Sequence, residues 1–417
     1  MELLNSTESS HEQRQQAQTA LLNIQRDPTN WPHIPSWLAH PALPVQFFGA
    51  QCLLVRINRD WDTLEEEEQV QLRDLIGSIL KQDNLAAAAR NKLEEALVRV
   101  MEKAFLSGWW KDPIGDLLKI SGNFSLLALI PSIAANSTDS KAAYPWHHEI
   151  KSHSNQVIEA FTISSSSLGP QIIECIKQWT SFGAFNFAQI ERILPVLTAA
   201  IDQTDDEGEI EVLVDCLVEI CELATRDASE EARKARHILP TCLKLSTLID
   251  TLDVSVVTKL AASLTEECAS FLVQAVHDTQ VQSFLGLLLK LTRAEGIVGV
   301  DDSTSQMTLN AWYLLTESID PEIPPSNAAI LSSLLGNSLV PILLEKATIP
   351  APSLWVKVPR DLQQQFLQIR REFLDTLLYI QRALKSLNSP NLLLELIYTD
   401  LEHLSRGTPA SKPLIET

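Results

Sequence analysis

Residues 45–61 read Val45-Gln46-Phe47-Phe48-Gly49-Ala50-Gln51-Cys52-Leu53-Leu54-Val55-Arg56-Ile57-Asn58-Arg59-Asp60-Trp61, a single helix that is apolar on most of its surface. Phe48, Cys52, Val55 and Arg59 recur at helical spacing, and Phe47, Gln51 and Leu54 lie beside them. A helix this apolar must be covered on more than one side. Its basic residues, Arg56 and Arg59, come only near the end, where a cation suits the negative pole of the helix dipole. A helix over 12–26 precedes it. An acidic helix start, Thr63-Leu64-Glu65-Glu66-Glu67-Glu68, follows and leads into Leu72, Leu75, Ile76 and Ile79. Short helix, tight turn, buried helix, amphipathic helix is how a stacked helical repeat begins.

The chain has 417 residues, more than one ordinary core accommodates, so it forms two or three domains or one repeat array. Hydrophobic residues make up 45%, enough for a folded core. Glycine is scarce and Leu and Ala dominate, which favours helix. Subtracting 53 acids from 33 bases leaves a net charge of −20. That excludes non-specific nucleic-acid binding, which needs a basic surface. It suits either basic protein partners or simple solubility. Cys52, Cys175, Cys216, Cys221, Cys242 and Cys268 lie in apolar helical runs, without C-x-x-C or metal-ligand spacing. They read as buried reduced thiols of an intracellular protein. The first 16 residues lack a signal-peptide core. The apolar run 124–135 is too short to span a bilayer and contains Pro131, so no membrane insertion is expected.

Helical patterns recur in pairs, about one pair every 40 residues, the period of HEAT and armadillo repeats. Expected helices cover 12–26, 44–61, 66–82, 85–106, 114–120, 123–134, 149–163, 168–182, 187–202, 207–226, 230–249, 253–277, 280–293, 304–318, 326–347, 360–386 and 390–405. No strand pattern survives. The fold class is all-α, an α-solenoid forming a right-handed superhelix of antiparallel helix pairs. Pro195, Pro240 and Pro341 sit inside helical patterns and should kink those helices or displace their starts.

The block 45–61, with Trp31 and Trp37 before it and Leu72-Arg73-Asp74 after it, resembles the N-terminal region of the importin-β superfamily. The core Phe47-Phe48-Gly49-Ala50-Gln51, followed by Ile57-Asn58-Arg59-Asp60-Trp61, looks most like the importin-13/transportin-SR branch. The resemblance continues in order through Trp179-Thr180-Ser181-Phe182-Gly183, residues 260–271 and 285–291, Ala311-Trp312-Tyr313-Leu314-Leu315, and 366–384. Family members begin with a helix before the one at 12–26 and are more than twice this long. The resemblance therefore implies an N-terminal portion with an incomplete first repeat: a fragment, a shortened gene model or a short paralogue. It divides the chain into a flexible start (1–11), Ran-binding repeats (12–120), further repeats (121–406) and a polar tail (407–417).

What the resemblance implies is a nuclear transport receptor. Its partners would be Ran-GTP, Phe-Gly-repeat nucleoporins and protein cargo, and it would shuttle between cytoplasm and nucleus. Ran would meet the second helices of the early repeats, 12–26, 66–82 and 114–120. On 66–82 the candidates are Glu66, Gln69, Arg73 and Asp74, which avoid the apolar stripe. The alternative is a HEAT-repeat scaffold without Ran dependence. No catalytic, cofactor or metal constellation is evident. His147-His148-Glu149 lacks a second His at helical spacing and reads as a polar loop. The run 164–167 lacks a nucleophile-elbow context. Gly296, Gly299 and Asp301-Asp302 form a loop with no phosphate-loop Lys. Asp205, Asp206, Glu207, Glu209 and Glu211 cluster at a helix start, either as capping or as part of an acidic partner surface.

Overall fold

The computed structural model describes residues 11–82, 84–119, 124–136, 143–163, 169–201, 203–204, 206–248 and 252–387. The expected helix over 390–405, the polar tail and the serine run 164–167 lie outside these residues. The chain divides into two compact units, Met1–Phe185 and Asn186–Thr417. Among the described residues every regular element is helical, and the only β feature is one isolated bridge between Val298 and Asp302.

The first unit is built from α1 (His11–Arg26), α2 (Ile34–Leu38), α3 (Leu43–Asp60), α4 (Glu66–Leu80), α5 (Ala87–Leu106), α6 (Pro113–Leu118), α7 (Phe124–Ala135), α8 (Tyr144–Ser152), α9 (Ser154–Ile163) and α10 (Pro170–Ser181). A row of helices, α3, α5, α7 and α10, packs side by side in chain order. The remaining helices cover it: α1 and α2 on α3, α4 and α6 on α5, α8 on α5 and α7, and α9 on α6 and α8. This is helix-pair stacking of the HEAT/armadillo kind, in which no pair buries its own apolar surface.

α3 shows why. Ala50, Cys52, Leu53, Leu54 and Ile57 are all buried, as the apolar reading of this segment requires. Gly49 permits the approach of α2: a Cβ there would lie 3.1 Å from Trp37 Cβ and 3.2 Å from the Leu38 backbone nitrogen. At the other end of the unit, Trp179 on α10 is fully buried. Its Nε1 donates to the Leu127 carbonyl of α7 at 2.8 Å, and its ring stacks on Phe185. Gly183 ends α10 with φ +68°, so that Ala184 N reaches back to the Trp179 carbonyl at 3.0 Å.

The second unit repeats the plan with α11 (Phe187–Ile190), α12 (Leu194–Ile201), α13 (Glu207–Cys221), α14 (Ala228–Leu245), α15 (Val254–Glu267), α16 (Ala269–Gln274), α17 (Thr279–Thr292), α18 (Thr304–Met307), α19 (Leu309–Glu317), α20 (Pro325–Ser332), α21 (Val340–Ala347), α22 (Pro352–Trp355) and α23 (Arg360–Ser386). Here α13, α15, α19 and α23 form one row, and α12, α14 and α17 form another. Several expected helices are broken where a backbone constraint intervenes. Pro195 and Pro341 fall in the first turns of α12 and α21, displacing the helix starts, whereas Pro240 is accommodated on the exposed side of α14. The single helix expected over 326–347 is interrupted by a π segment, Ser333–Leu339. The run Pro325–Ala347 is long and apolar enough to cross a bilayer by length and composition alone. In the fold, its Leu331, Leu335, Leu339, Val340 and Leu343 are buried.

Many of the acids serve helix starts. Asp206, Asp227, Asp253 and Asp278 accept backbone N–H bonds at the starts of α13, α14, α15 and α17. All six cysteines are buried and none forms a disulfide, and burial pushes the Cys52 thiol up to about 12, so it stays protonated and inert near neutrality. Two buried lysines are matched to acceptors. Lys234 donates to the Cys221 and Leu223 carbonyls, and Lys346 to Asp302 Oδ2 at 2.7 Å and to the Ala294 carbonyl.

Trp179→Phe keeps the ring but strands the Leu127 carbonyl in the core. It should cost about 1–3 kcal/mol in urea unfolding, while Trp37→Phe, whose indole is half-buried, should cost less.

Candidate partner surface on the early repeats

The four residues singled out on the second helix do not share one fate. Glu66 and Asp74 are exposed and Arg73 is half-buried. Gln69 is buried, contrary to the expectation that it faces a partner. Its Nε2 donates to the Trp61 carbonyl at 3.2 Å and to the Leu64 carbonyl at 3.0 Å. Its Oε1 accepts from Trp109 Nε1 at 2.7 Å. The amide is consumed inside the repeat, because the turn between α3 and α4 leaves carbonyls that need a donor.

The consequence is a fixed aromatic pair beside Arg73. Gly108 leaves α5 with φ +86°, and the chain turns to present Trp109 and Trp110. The two indoles stack with ring centres 6.0 Å apart. The Arg73 guanidinium lies 5.6 Å from the centre of Trp109 and 5.2 Å from that of Trp110. It also pairs with Asp74 at 2.8 Å. Trp110 Nε1 donates to Asp116 Oδ2 at 3.0 Å, and Lys119 reaches Asp116 Oδ1 at 2.7 Å. Lys119, together with Trp110, holds the Asp116 carboxyl below the usual carboxylate range. α4 itself begins with Glu66, Glu67 and Glu68 in its first turn, and its last carbonyls are capped by Arg90, which donates to Leu80 and Gln82. The surface is thus acidic, with one cation laid across two aromatic rings.

Next to it, Asp112 caps α6 through Gly115 N at 2.8 Å and also faces His153 Nε2 at 2.9 Å. His153 Nδ1 lies 3.0 Å from the Glu149 carbonyl. Burial pushes the Glu149 carboxyl up. Asp112, Glu149 and His153 have donor atoms within 4.8 Å of one another, the one group of this kind among the described residues that could hold a cation. His147 and His148 lie on α8, not in a loop. His147 Nε2 bonds the Ala134 carbonyl and its ring meets Phe182 edge-on, so it joins α7, α8 and α10. Of the acidic cluster, Asp206 caps α13 and Glu209 accepts from Thr204 Oγ1 at 2.6 Å, while Asp205 is outside the described residues.

No family model matches the chain. Curated relatives do. Over 411 residues it is 21% identical to importin-13 of Homo sapiens and to importin-13 of Bos taurus, covering 89% of this chain and 41% of each relative. A shorter stretch of 132 residues is 30% identical to importin-13 of Gallus gallus, 30% of this chain and 14% of that protein. The likeness is to importin-13. It runs across both compact units, and the chain spans about two fifths of the length of the importin-13 relatives it matches. Among solved structures, a chain from a study of the phosphorylation switch between cadherin and beta-catenin aligns with a TM-score of 0.31 and 13% identity, covering 97% of this chain and 90% of that one. The TSC2 N-terminus aligns with a TM-score of 0.30 and 11% identity, covering 99% and 96%.

Reading residues 66–82 for exposure missed Trp109 and Trp110. The available signal was a Trp pair directly after a Gly that ends a helix, followed by Asp112-Pro113. Gln69→Leu should destabilise the protein by about 1–3 kcal/mol, because it removes the donor to the Leu64 carbonyl and the acceptor of Trp109 Nε1. Arg73→Ala removes only a surface pair and a ring contact, and should change stability by less than about 1 kcal/mol. Urea midpoints of the two variants decide between these roles.

Proposed function

We propose that this chain is the Ran-binding and early cargo-binding portion of an importin-β-type nuclear transport receptor. The observation that carries the proposal is the collinear similarity to importin-13 over 89% of the chain. On this reading, residues 12–120 receive Ran-GTP through α1, α4 and α6, with Glu66, Arg73 and Asp74 at the contact and Gln69 supporting it from beneath. The acidic α4 face meets a basic partner surface. Arg73, held flat against Trp109 and Trp110, is pre-oriented to donate to a partner carboxylate or carbonyl, which limits the entropy lost on binding. Phe-Gly-repeat nucleoporins would bind between neighbouring helices of the α3, α5, α7, α10 row, cargo would bind further along the chain, and the protein would shuttle between cytoplasm and nucleus. The fold works here as a binding scaffold rather than as a catalyst.

Calorimetry with Ran loaded with GTP or GDP tests the proposal. The GTP form should bind more tightly, since only a differential affinity can switch a carrier. Arg73→Glu should weaken Ran-GTP binding about tenfold without changing helicity. Equal affinity for both nucleotide forms would remove Ran control and leave a HEAT-repeat scaffold as the reading.

A further inference from the structure

Both ring nitrogens of His153, the residue between α8 and α9, face oxygens that only accept. Nδ1 lies 3.0 Å from the Glu149 carbonyl, and Nε2 lies 2.9 Å from Asp112 Oδ1. A neutral imidazole carries one N–H, so it serves only one of them. Ser152 Oγ, 3.2 Å from Nδ1, does not resolve this, because its own hydrogen goes to the Glu149 carbonyl at 2.7 Å. A positive centre is therefore needed between Nε2 and Asp112, either a proton or a metal ion. The Glu149 carboxylate, one helical turn before His153, decides between them. Its side chain is 16% exposed, and Oε1 stands 3.6 Å from Nδ1, beyond hydrogen-bond distance. A doubly protonated ring serves Asp112 but leaves this enclosed carboxylate without a hydrogen bond among the described residues. A divalent cation meets both carboxylates at once.

We propose that Asp112, Glu149 and His153 form a binding site for a divalent transition-metal cation, with Zn2+ the ion that one imidazole and two carboxylates suit. Their donor atoms lie within 4.8 Å of one another, close enough to share one ion. His153 Nε2 is the nitrogen ligand. The bond from Nδ1–H to the Glu149 carbonyl fixes the tautomer and aims Nε2, the outer-shell arrangement that metal-binding histidines use. The ring is 10% exposed and so held in place, whereas the Asp112 side chain is 51% exposed and gives the ion a way in. Asp112 is itself oriented by Gly115 N, which donates to Oδ1 at 2.8 Å. Three protein ligands leave a further position open to water or to a partner's donor group. Asp112 lies two residues after Trp110, so the ion ties the turn that presents the Trp pair to the junction of α8 and α9.

Titrating the chelator-treated full chain with Zn2+ in a calorimeter tests the proposal. A single ion per chain should bind, and X-ray absorption of the bound zinc should show imidazole and oxygen ligands without sulfur, since the six cysteines are buried. Asp112→Asn keeps an oxygen to cap α6 but removes a charged ligand. His153→Gln keeps an N–H for Asp112 but loses the imidazole. Each should weaken Zn2+ binding at least about tenfold, with the circular dichroism spectrum unchanged. Zn2+ binding that neither substitution weakens would place the ion elsewhere. No Zn2+ binding by the unsubstituted chain would leave His153 as an imidazolium between its acceptors. Either result overturns the proposal.

Discussion

The structure depends on one constraint: its long helices are too apolar to be covered by a single partner. α3 buries Ala50, Leu53, Leu54 and Ile57 against α1, α2 and α5 together, not against one hairpin mate. α5 is flanked in turn by α3, α4, α6, α7 and α8. Stacking is the only arrangement that removes so much apolar surface from water without a single large core. Gly49 and Trp179 mark its tolerances. The first allows two helices to approach where a methyl group would crowd them, and the second spans two neighbouring helices of the row and satisfies a carbonyl on the way.

Stacking leaves turns between the rows, and turns leave backbone groups without partners. The chain answers with long polar side chains sent inward. Gln46 donates to the His40 carbonyl and accepts from Ala86 N, joining the start of α3 to the start of α5. Gln69 does the same for the α3–α4 turn and for Trp109. Arg59 donates to the Arg26 carbonyl at the end of α1, and Arg56 lies 4.5 Å from the centre of the Trp31 ring. The two arginines near the end of α3 are therefore less a complement to the helix dipole than a lock on the turn that precedes α3.

These joints explain what was legible in the sequence. Helix existence was, because the apolar stripes of 45–61, 87–106 and 360–386 repeat at 3.6 residues, and the fold class follows from helices that come in pairs. The breaks at His153, Cys268 and Thr308 were not, since no Gly or Pro marks them. Gln69 was misplaced for a physical reason. Periodicity separates apolar from polar, and a glutamine that serves buried carbonyls is polar by composition yet interior by position. Trp109 and Trp110 were visible as a break in helical pattern but not as a surface, because the positive φ of Gly108 and the bonds to Gln69 and Asp116 set their orientation. The acidic runs were ambiguous in the same way: Asp206, Asp227 and Asp253 cap helices, whereas Glu66 is exposed and Asp74, also exposed, pairs with Arg73.

If stacking of the long row is what holds the first unit together, stability must be graded between its layers. Native-state hydrogen exchange resolved by mass spectrometry measures this. α3, α5 and α10, each packed within the row, should exchange at least about tenfold more slowly than α1 and α6, which cover it. Equal protection in both layers, or faster exchange in α3 and α5 than in α1, would contradict the account.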